Sequence, residues 1–332
     1  MRSYSIALLA LGLFTYSCNA GSKESKSDTD SIQPTTLQKA VFNADSAYSY
    51  VKSQVEIGPR VPGSWEHDRC AKYLVSELKR HKADTVIEQI ATVKAYTGDI
   101  LPINNIMGRY NLPINKRVLL VAHWDTRPWA DNEAKMQDRE RPVPGANDGA
   151  SGVGVLLEVA RQLSIRKPDI GIDILFTDAE DYGRTEGWGS SEETWALGAQ
   201  HWVKNMPYGK GQYPVYGILL DMVGGLDARF HREYFSEQYA PAILDKVWSI
   251  ANASGYGQIF INKPAGGITD DHIFINRAGI PCIDIIECLN PVTKSFPPTW
   301  HTLSDDMSSI DRNSLKAVGQ TVLNTIYNEP AQ

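Results

Sequence analysis

The stretch Val118-Leu-Leu-Val-Ala-His-Trp-Asp125 decides the fold, because it joins a buried strand to two polar side chains. A short apolar run bounded by polar residues is typical of a strand that is covered on both faces. His123 and Asp125 follow this run directly. Open α/β sheets collect their active-site groups at the carboxyl ends of parallel strands. The stretch therefore predicts a buried sheet with a functional site where this strand ends.

Similar runs recur further along the chain and alternate with helical patterns. The runs are Ile172–Thr177, Tyr216–Leu220 and Ile280–Ile286. Helix-like apolar spacing covers residues 41–57, residues 66–82 and the segment that follows Asp148. This alternation predicts a mostly parallel sheet with helices on both sides. Residues 124–147 lack periodicity and are rich in Asp, Arg, Pro and Asn, so we expect a long active-site loop there.

The N-terminus has the pattern of an export signal. Arg2 precedes the apolar run Ile6–Phe14, which is too short to span a bilayer and is followed by Cys18. The segment resembles a bacterial lipoprotein signal, in which cleavage would leave Cys18 as a lipidated first residue; an ordinary secretory signal is the alternative. Residues 19–36 are small and polar. We predict a signal peptide at 1–17, a flexible tether at 18–36 and a single catalytic domain at 37–332. The protein would face the periplasm or the cell surface.

Composition and charge exclude several classes of function. The net charge of −6 leaves no basic surface for nucleic acid. Beyond Cys18 the cysteines are Cys70, Cys282 and Cys288, with no CxxC spacing, so neither a disulfide framework nor a thiolate metal site is indicated. We expect a small molecule or a peptide as the partner, and contact with a membrane only through the lipid.

Five residues that follow strands or begin helices are candidate zinc ligands. They are His123, Asp148, Asp181, Asp221 and His301. Zinc favours His nitrogen and carboxylate oxygen, and a catalytic zinc has three protein ligands and one open position. Taken singly, such residues also have structural alternatives: Asp148 as a helix N-cap, Asp125 or Asp221 as a strand-end carboxylate, and His301 as a surface histidine.

The order of these motifs resembles that of the zinc aminopeptidase superfamily over roughly Ile57 to Met307. The resemblance implies a phosphorylase/hydrolase-like α/β/α sandwich with a mixed central sheet. It also implies a co-catalytic metal pair. One metal would take His123, Asp148 and Asp221, and the other would take Asp148, Asp181 and His301.

Three details resemble the animal-type glutaminyl cyclases, zinc enzymes within this superfamily that convert N-terminal glutamine into pyroglutamate. Trp300 directly precedes His301, Gly267-Ile-Thr-Asp-Asp-His272 contains an extra Asp, and Trp188 follows Glu180-Asp181. The implied substrate-binding residues are Trp188, Ile268, Thr269, Phe296 and Trp300.

The cyclase resemblance implies one zinc per chain, held by Asp148, Asp181 and His301, with His123 and Asp221 as hydrogen-bonding groups. Glu180 would transfer the proton, Asp270 and Asp221 would share it, and Asp125 would orient the site. The sequence departs from the animal pattern at three positions. Asp181 replaces a Glu, Ala122 removes a cysteine of a disulfide, and Asp284 stands where a histidine is expected.

The resemblance predicts peptide or protein substrates that begin with Gln. A two-zinc aminopeptidase is the alternative function. A binding protein of the same fold that has lost catalysis ranks lower, because every predicted ligand position and Glu180 are filled.

Overall fold

Strand pairing in the computed structural model, which describes residues 40–185, 192–209 and 211–331, organises the domain around one mixed sheet. Its strands, in chain order, are β1 (Thr85–Lys94), β2 (Ile100–Tyr110), β3 (Arg117–His123), β4 (Gly171–Thr177), β5 (Tyr216–Asp221) and β8 (Cys282–Ile286). Across the sheet the order is β1-β2-β4-β3-β5-β8. The pairs β3/β4, β3/β5 and β5/β8 are parallel, whereas β1/β2 and β2/β4 are antiparallel. A mostly parallel, mixed sheet was expected, and the structure confirms it.

Helices cover both faces of this sheet. They are α1 (Ala44–Ile57), α2 (Trp65–Arg80), α3 (Ala150–Ile165), α4 (Leu197–Lys204), α5 (Tyr234–Tyr239), α6 (Pro241–Ala253), α7 (Asp271–Arg277) and α8 (Arg312–Tyr327). A small parallel pair, β6 (Phe230–Arg232) and β7 (Phe260–Pro264), lies outside the main sheet. The result is the predicted α/β/α sandwich.

Alternating side chains of the central strands pack into two separate hydrophobic cores, one on each face of the sheet. Leu120 of β3 packs in the larger core, to which α1, α2, α3, α6 and α8 contribute. Leu119, one residue earlier, packs in a smaller core with Trp202 of α4 and Ile275 of α7. Because successive residues of a strand point to opposite faces, a strand between two helical layers buries side chains on both faces, and its central residues are mostly apolar. This explains why β3 and β4 are buried along their entire length.

Local sequence signals set the ends of several helices. The side chain of Asn43 accepts a hydrogen bond from the amide of Ser46 at the start of α1, and Ser64 caps α2 in the same way through His67. Such caps satisfy amides that have no partner within the helix. The predicted strand at 280–286 begins later, at Cys282. Pro281 explains the difference, because proline has no amide hydrogen to donate to a neighbouring strand.

The amino ends of the strands are held by a buried ionic network. Asp173 of β4 accepts hydrogen bonds from Arg109 Nε at 3.0 Å, from Arg117 Nε at 2.9 Å and from the Tyr208 hydroxyl at 2.9 Å. Arg117 also donates to the backbone oxygens of Tyr110 and Ile172. The carboxylate and the guanidinium groups therefore compensate one another, which a buried charge requires.

Candidate active site

The carboxyl ends of β3, β4 and β5 bring all five predicted zinc ligands together. His123 and Asp221 are the last residues of β3 and β5. His123 Nε2 lies 3.1 Å from Asp148 Oδ1 and 3.1 Å from Asp221 Oδ1. His301 Nε2 lies 3.2 Å from Asp181 Oδ1 and 3.8 Å from Asp148 Oδ2. Asp148 is thus common to two groups of three, in each of which the ligand atoms lie within 4.8 Å of one another.

Two of the structural alternatives for these residues are wrong. The N-cap of α3 is Gly149, and Asp148 directs its carboxylate toward His123 instead of the helix amides. Gly149 has φ 92°, and a Cβ there would lie 2.6 Å from the backbone oxygen of Asp125, so this turn requires glycine. His301 is 1% exposed and is not a surface histidine.

The charges of these groups fit a bound cation. Burial, reinforced by the charge of Asp181, raises the pKa of Asp148 to about 6. Burial alone would raise the pKa of Asp181 too, but His301 and Arg127 hold it below its ordinary value. Closely packed buried carboxylates are stabilised by a positive charge, and histidine with carboxylate is a ligand set that zinc prefers. The residues present therefore fit zinc.

Asp125 lies where an orienting residue is needed. Its Oδ1 accepts the amide hydrogen of Glu180 at 3.1 Å, and its Oδ2 accepts that of Asp181 at 3.1 Å. The same Oδ1 is 3.4 Å from His123 Nδ1. The Asp125 carboxylate, two residues beyond β3, therefore holds the loop after β4 and contacts one edge of the His123 imidazole.

Two buried residues that the sequence did not single out hold the loop before Asp148. Asp305 accepts the amide hydrogens of Asn147 and Asp148 at 2.8 and 3.0 Å. Arg60 donates to the backbone oxygens of Pro144 and Gly145, both at 2.6 Å. These contacts connect segments far apart in sequence, so no local sequence pattern predicts them.

A second set of buried carboxylates lies beside the ligands. Burial, followed by the charge of Asp270, raises the pKa of Glu180 well above its ordinary value. Burial and Asp221 have the same effect on the pKa of Asp270. Asp284, which stands where the animal pattern has histidine, lies close to Asp270 and His272, with their polar atoms within 4.8 Å. Such a set readily holds and exchanges protons.

A pocket of about 360 Å³ opens onto these residues. Its lining includes the predicted residues Ile268, Thr269, Phe296 and Trp300 together with Glu180, Asp181 and His301. The indole of Trp300 stacks on the His301 ring, with centroids 3.7 Å apart. Trp195, which the sequence did not single out, also lines the pocket. Trp188 and Cys18 lie outside the described residues.

The backbone is strained beside the reacting groups. Ala179, Met222 and His301 have φ of 49°, 45° and 55°, a region that residues with side chains rarely adopt. Ala179 precedes Glu180, and Met222 follows Asp221. Strain of this kind concentrates at functional sites, where the surrounding structure stabilises it.

A mixed α/β/α sandwich that gathers histidines and carboxylates at the carboxyl ends of its parallel strands defines the class of the zinc exopeptidases. Comparison with known proteins narrows this class. Residues 105–326 match the model of peptidase family M28, and the chain belongs to that family.

Three relatives illustrate what the family contains. The crystal structure of Bacteroides thetaiotaomicron glutaminyl cyclase bound to N-acetylhistamine is 52% identical, has a TM-score of 0.85 and covers 88% of this chain and 100% of its own. The crystal structure of a Zn-dependent exopeptidase from Parabacteroides distasonis is 48% identical, with a TM-score of 0.84 and coverage of 87% and 99%. Glutaminyl-peptide cyclotransferase from Bos taurus is 24% identical over 77% of this chain and 74% of its own length.

Proposed function

We propose that the protein is a zinc-dependent glutaminyl-peptide cyclotransferase that acts on peptides or proteins with an N-terminal glutamine. The observation that carries the proposal is a partly enclosed aromatic pocket, into which both the Asp148–Asp181–His301 group and the separate carboxylate of Glu180 open. A bacterial glutaminyl cyclase that is 52% identical supports it.

The reaction is an intramolecular aminolysis. A bond forms between the α-amine nitrogen of glutamine and its side-chain amide carbon, the bond from that carbon to the amide nitrogen breaks, and ammonia leaves. One proton must pass from the attacking amine to the departing nitrogen. The enzyme must also hold the glutamine curled, so that amine and carbonyl are in contact.

Asp148, Asp181 and His301 would hold the zinc, which, when bound, supplies Lewis-acid polarisation of the amide carbonyl. Glu180 would receive the amine proton and return it to the leaving nitrogen; this role is supported by its position in the pocket lining and outside that ligand group. Asp270, which lines the same pocket and whose charge helps to raise the pKa of Glu180, would share this proton. Asp221 is the largest charged contributor to the raised pKa of Asp270 and extends the same network.

The aromatic residues would exclude water from the curled glutamine. Phe296 and Trp300 pack against each other, with ring centroids 4.3 Å apart, and rest on a small apolar cluster that includes Met222 and Ile286. Exclusion of water matters because attack of water on the polarised amide carbonyl would release ammonia but leave an N-terminal glutamate residue instead of the pyroglutamate ring.

We propose one zinc per chain. His123 already has both ring nitrogens near carboxylates, with Nδ1 3.4 Å from Asp125 Oδ1 and Nε2 3.1 Å from Asp221 Oδ1. These contacts support a hydrogen-bonding role for His123 and Asp221. The same residues also converge with Asp148 as a possible second metal group, and this observation favours the alternative, a two-zinc aminopeptidase. Metal analysis of the purified protein should therefore give one zinc per chain, and two would favour the alternative.

The deciding experiment incubates the purified protein with a peptide that begins with Gln. We expect release of one ammonia per peptide, a blocked N-terminus and no free amino acid. A matched peptide that begins with Leu should be left intact. Free leucine from the control peptide, without ammonia from the first, would establish the aminopeptidase instead.

We also propose that the protein is exported as a lipoprotein anchored through Cys18. Arg2, the apolar run Ile6–Phe14 and the polar segment 19–36 support this. Across the described residues, the helices are all too short or too polar to cross a membrane. Metabolic labelling with a radioactive fatty acid tests the proposal: label should enter the protein and be lost in Cys18→Ser, and an unlabelled protein would contradict it.

A further inference from the structure

Arg127, two residues after Asp125, makes more contacts at the active site than the sequence suggested. Nε and Nη2 donate to Asp131 Oδ1 and Oδ2 at 2.9 and 2.7 Å. Nη1 donates to Asp181 Oδ1 and to the backbone oxygen of Asp181, at 3.1 and 3.2 Å. Nη2 also donates to the backbone oxygen of Gly183 at 3.1 Å. A guanidinium has five N–H donors, so these contacts use its whole capacity.

The Arg127 guanidinium contacts two carboxylates of the predicted zinc site, those of Asp181 and Asp131. Asp181 is a predicted ligand, and its Oδ1 lies between Arg127 Nη1 and His301 Nε2. Asp131 Oδ1, which accepts from Arg127 Nε, also lies 3.1 Å from His301 Nδ1. The other ring nitrogen of His301, Nε2, is the one that faces Asp148 and Asp181. Two of the three predicted ligands therefore depend on the position of one arginine.

The same side chain supports the wall of the pocket. The guanidinium carbon lies 5.1 Å from the ring centroid of Trp129 and 5.3 Å from that of Trp195, within cation–π range. Trp195 also packs against Gly183, where a Cβ would come within 1.9 Å of the indole. Arg127 is 1% exposed, and the two indole rings and two carboxylates around its guanidinium leave it little freedom to move.

We infer that Arg127 is a positioning residue that sets the zinc affinity of Asp181 and His301 and couples the metal site to the indole of Trp195. The inference rests on the proposed function in one respect: it assumes that Asp181 and His301 are zinc ligands. Lysine at this position would keep the positive charge of Arg127. It could not make the same set of hydrogen bonds, because its side chain has a single nitrogen whereas the planar guanidinium has three. Partners that hold metal ligands typically change affinity by about 10–100-fold when they are removed.

The test measures the zinc dissociation constant by competition with a chromophoric chelator, together with the melting temperature of the metal-free protein. Arg127→Met should weaken zinc binding by about 10–100-fold, with Arg127→Lys in between. Arg109→Met is the matched control, because Arg109 also donates to a buried aspartate, Asp173, but at the opposite end of the sheet. It should lower the melting temperature and leave zinc affinity unchanged.

Asp131→Asn keeps the test informative if Arg127→Met does not fold. It removes the carboxylate that Arg127 and His301 have in common, and should weaken zinc binding to a similar extent. In the double variant Arg127→Met with Asp131→Asn, the loss should be smaller than the product of the two single losses, because both act through the same contact. Steady-state kinetics of Arg127→Lys should show a raised KM, because Trp195 loses its support.

The outcomes separate this inference from the proposed function. Absence of zinc binding in the unaltered protein would overturn both. Zinc binding of normal strength in Arg127→Lys and Asp131→Asn would overturn this inference alone and reduce Arg127 to a structural role.

Discussion

Replacing Glu180 by glutamine tests the proton transfer on which the proposed reaction depends. The substitution keeps the shape of the side chain and removes its charge and its ability to accept a proton. The backbone has no reason to move, because the amide of Glu180 is held by Asp125 at 3.1 Å and its carbonyl accepts from Ala196 at 3.0 Å. Glu180 is 7% exposed, so water has little access to substitute for it.

The expected loss follows from this geometry. A positioned general acid and base typically contributes about 10²–10⁴-fold to a rate, which corresponds to roughly 3–5 kcal/mol. The neighbouring Asp270 can take over part of the transfer, which places the loss in kcat near the lower end of that range. Zinc affinity should stay the same, because Glu180 is not a predicted ligand. The metal-free variant should be no less stable, because burial already disfavours the ionised form of Glu180, whose pKa is raised.

The assay follows ammonia release from a Gln-initiated peptide, with zinc content and melting temperature measured on the same samples. Glu193→Gln is the control, because Glu193 is exposed and nearby in sequence but does not line the pocket. It should retain full activity. A Glu180→Gln protein that kept its zinc and more than a tenth of the normal kcat would refute the role assigned to Glu180.

Three further predictions concern other parts of the molecule. Asp270→Asn should lower the kcat of cyclisation, by no more than Glu180→Gln does, while zinc stays bound, as measured by ammonia release and by metal analysis after gel filtration; loss of zinc would make Asp270 a ligand. The affinity for zinc should fall at least tenfold between pH 7 and pH 5, since protons compete for Asp148, whose pKa is about 6. Protons also compete for His301, because burial would lower its pKa but Asp181 and Asp131 raise it above its ordinary value. Chelator competition across this range checks it, and a flat profile would contradict it. Asp173→Asn leaves Arg117 without its buried counter-charge, so it should cost about 3–5 kcal/mol and lower the melting temperature by roughly 10 °C without affecting zinc affinity. Calorimetry checks the loss, and an unchanged melting temperature would show that the network contributes no net stability.

The buried strands were predictable because a strand covered on both faces is restricted to mostly apolar residues. β3 is covered on both faces, so its residues 118–122 are apolar, and the polar residue that ends it lies at the edge of the sheet where ligands bind. For the same reason the positions of His123 and Asp221 followed from the sequence. The identity of the reaction depended on resemblance, because the ligands alone are common to peptidases and cyclases.

The hairpin of β1 and β2 was missed for a physical reason. β1 is the edge strand, and its burial does not follow its hydrophobicity: Ile90 is 77% exposed, whereas Gln89 donates a hydrogen bond to the backbone oxygen of Asn205 at 2.7 Å. A search for alternating apolar residues therefore finds no clear strand. Tertiary contacts decide which face of this strand is inside.

The residues that hold the ligands were missed for a different reason. Arg60, Arg127 and Asp305 act mainly through contacts with backbone and side chains that are distant in sequence, such as the bond between Asp305 and the amide of Asp148. A single sequence records the residue type at each position but not these pairings. The charged residues in the predicted loop 124–147 were the available signal, because an arginine and an aspartate four residues apart can pair.

The ionic network around Asp173 lies at the amino ends of the strands, and the reacting groups lie at the carboxyl ends. The two groups of residues are therefore connected through the length of the strands, and a substitution in one group does not contact the other. Such an arrangement lets the loops at the carboxyl ends change in sequence while the folding of the sheet is preserved. For protein engineering, it means that libraries confined to these loops can search for new N-terminal modifications, and that heat tolerance can be improved independently from the opposite edge.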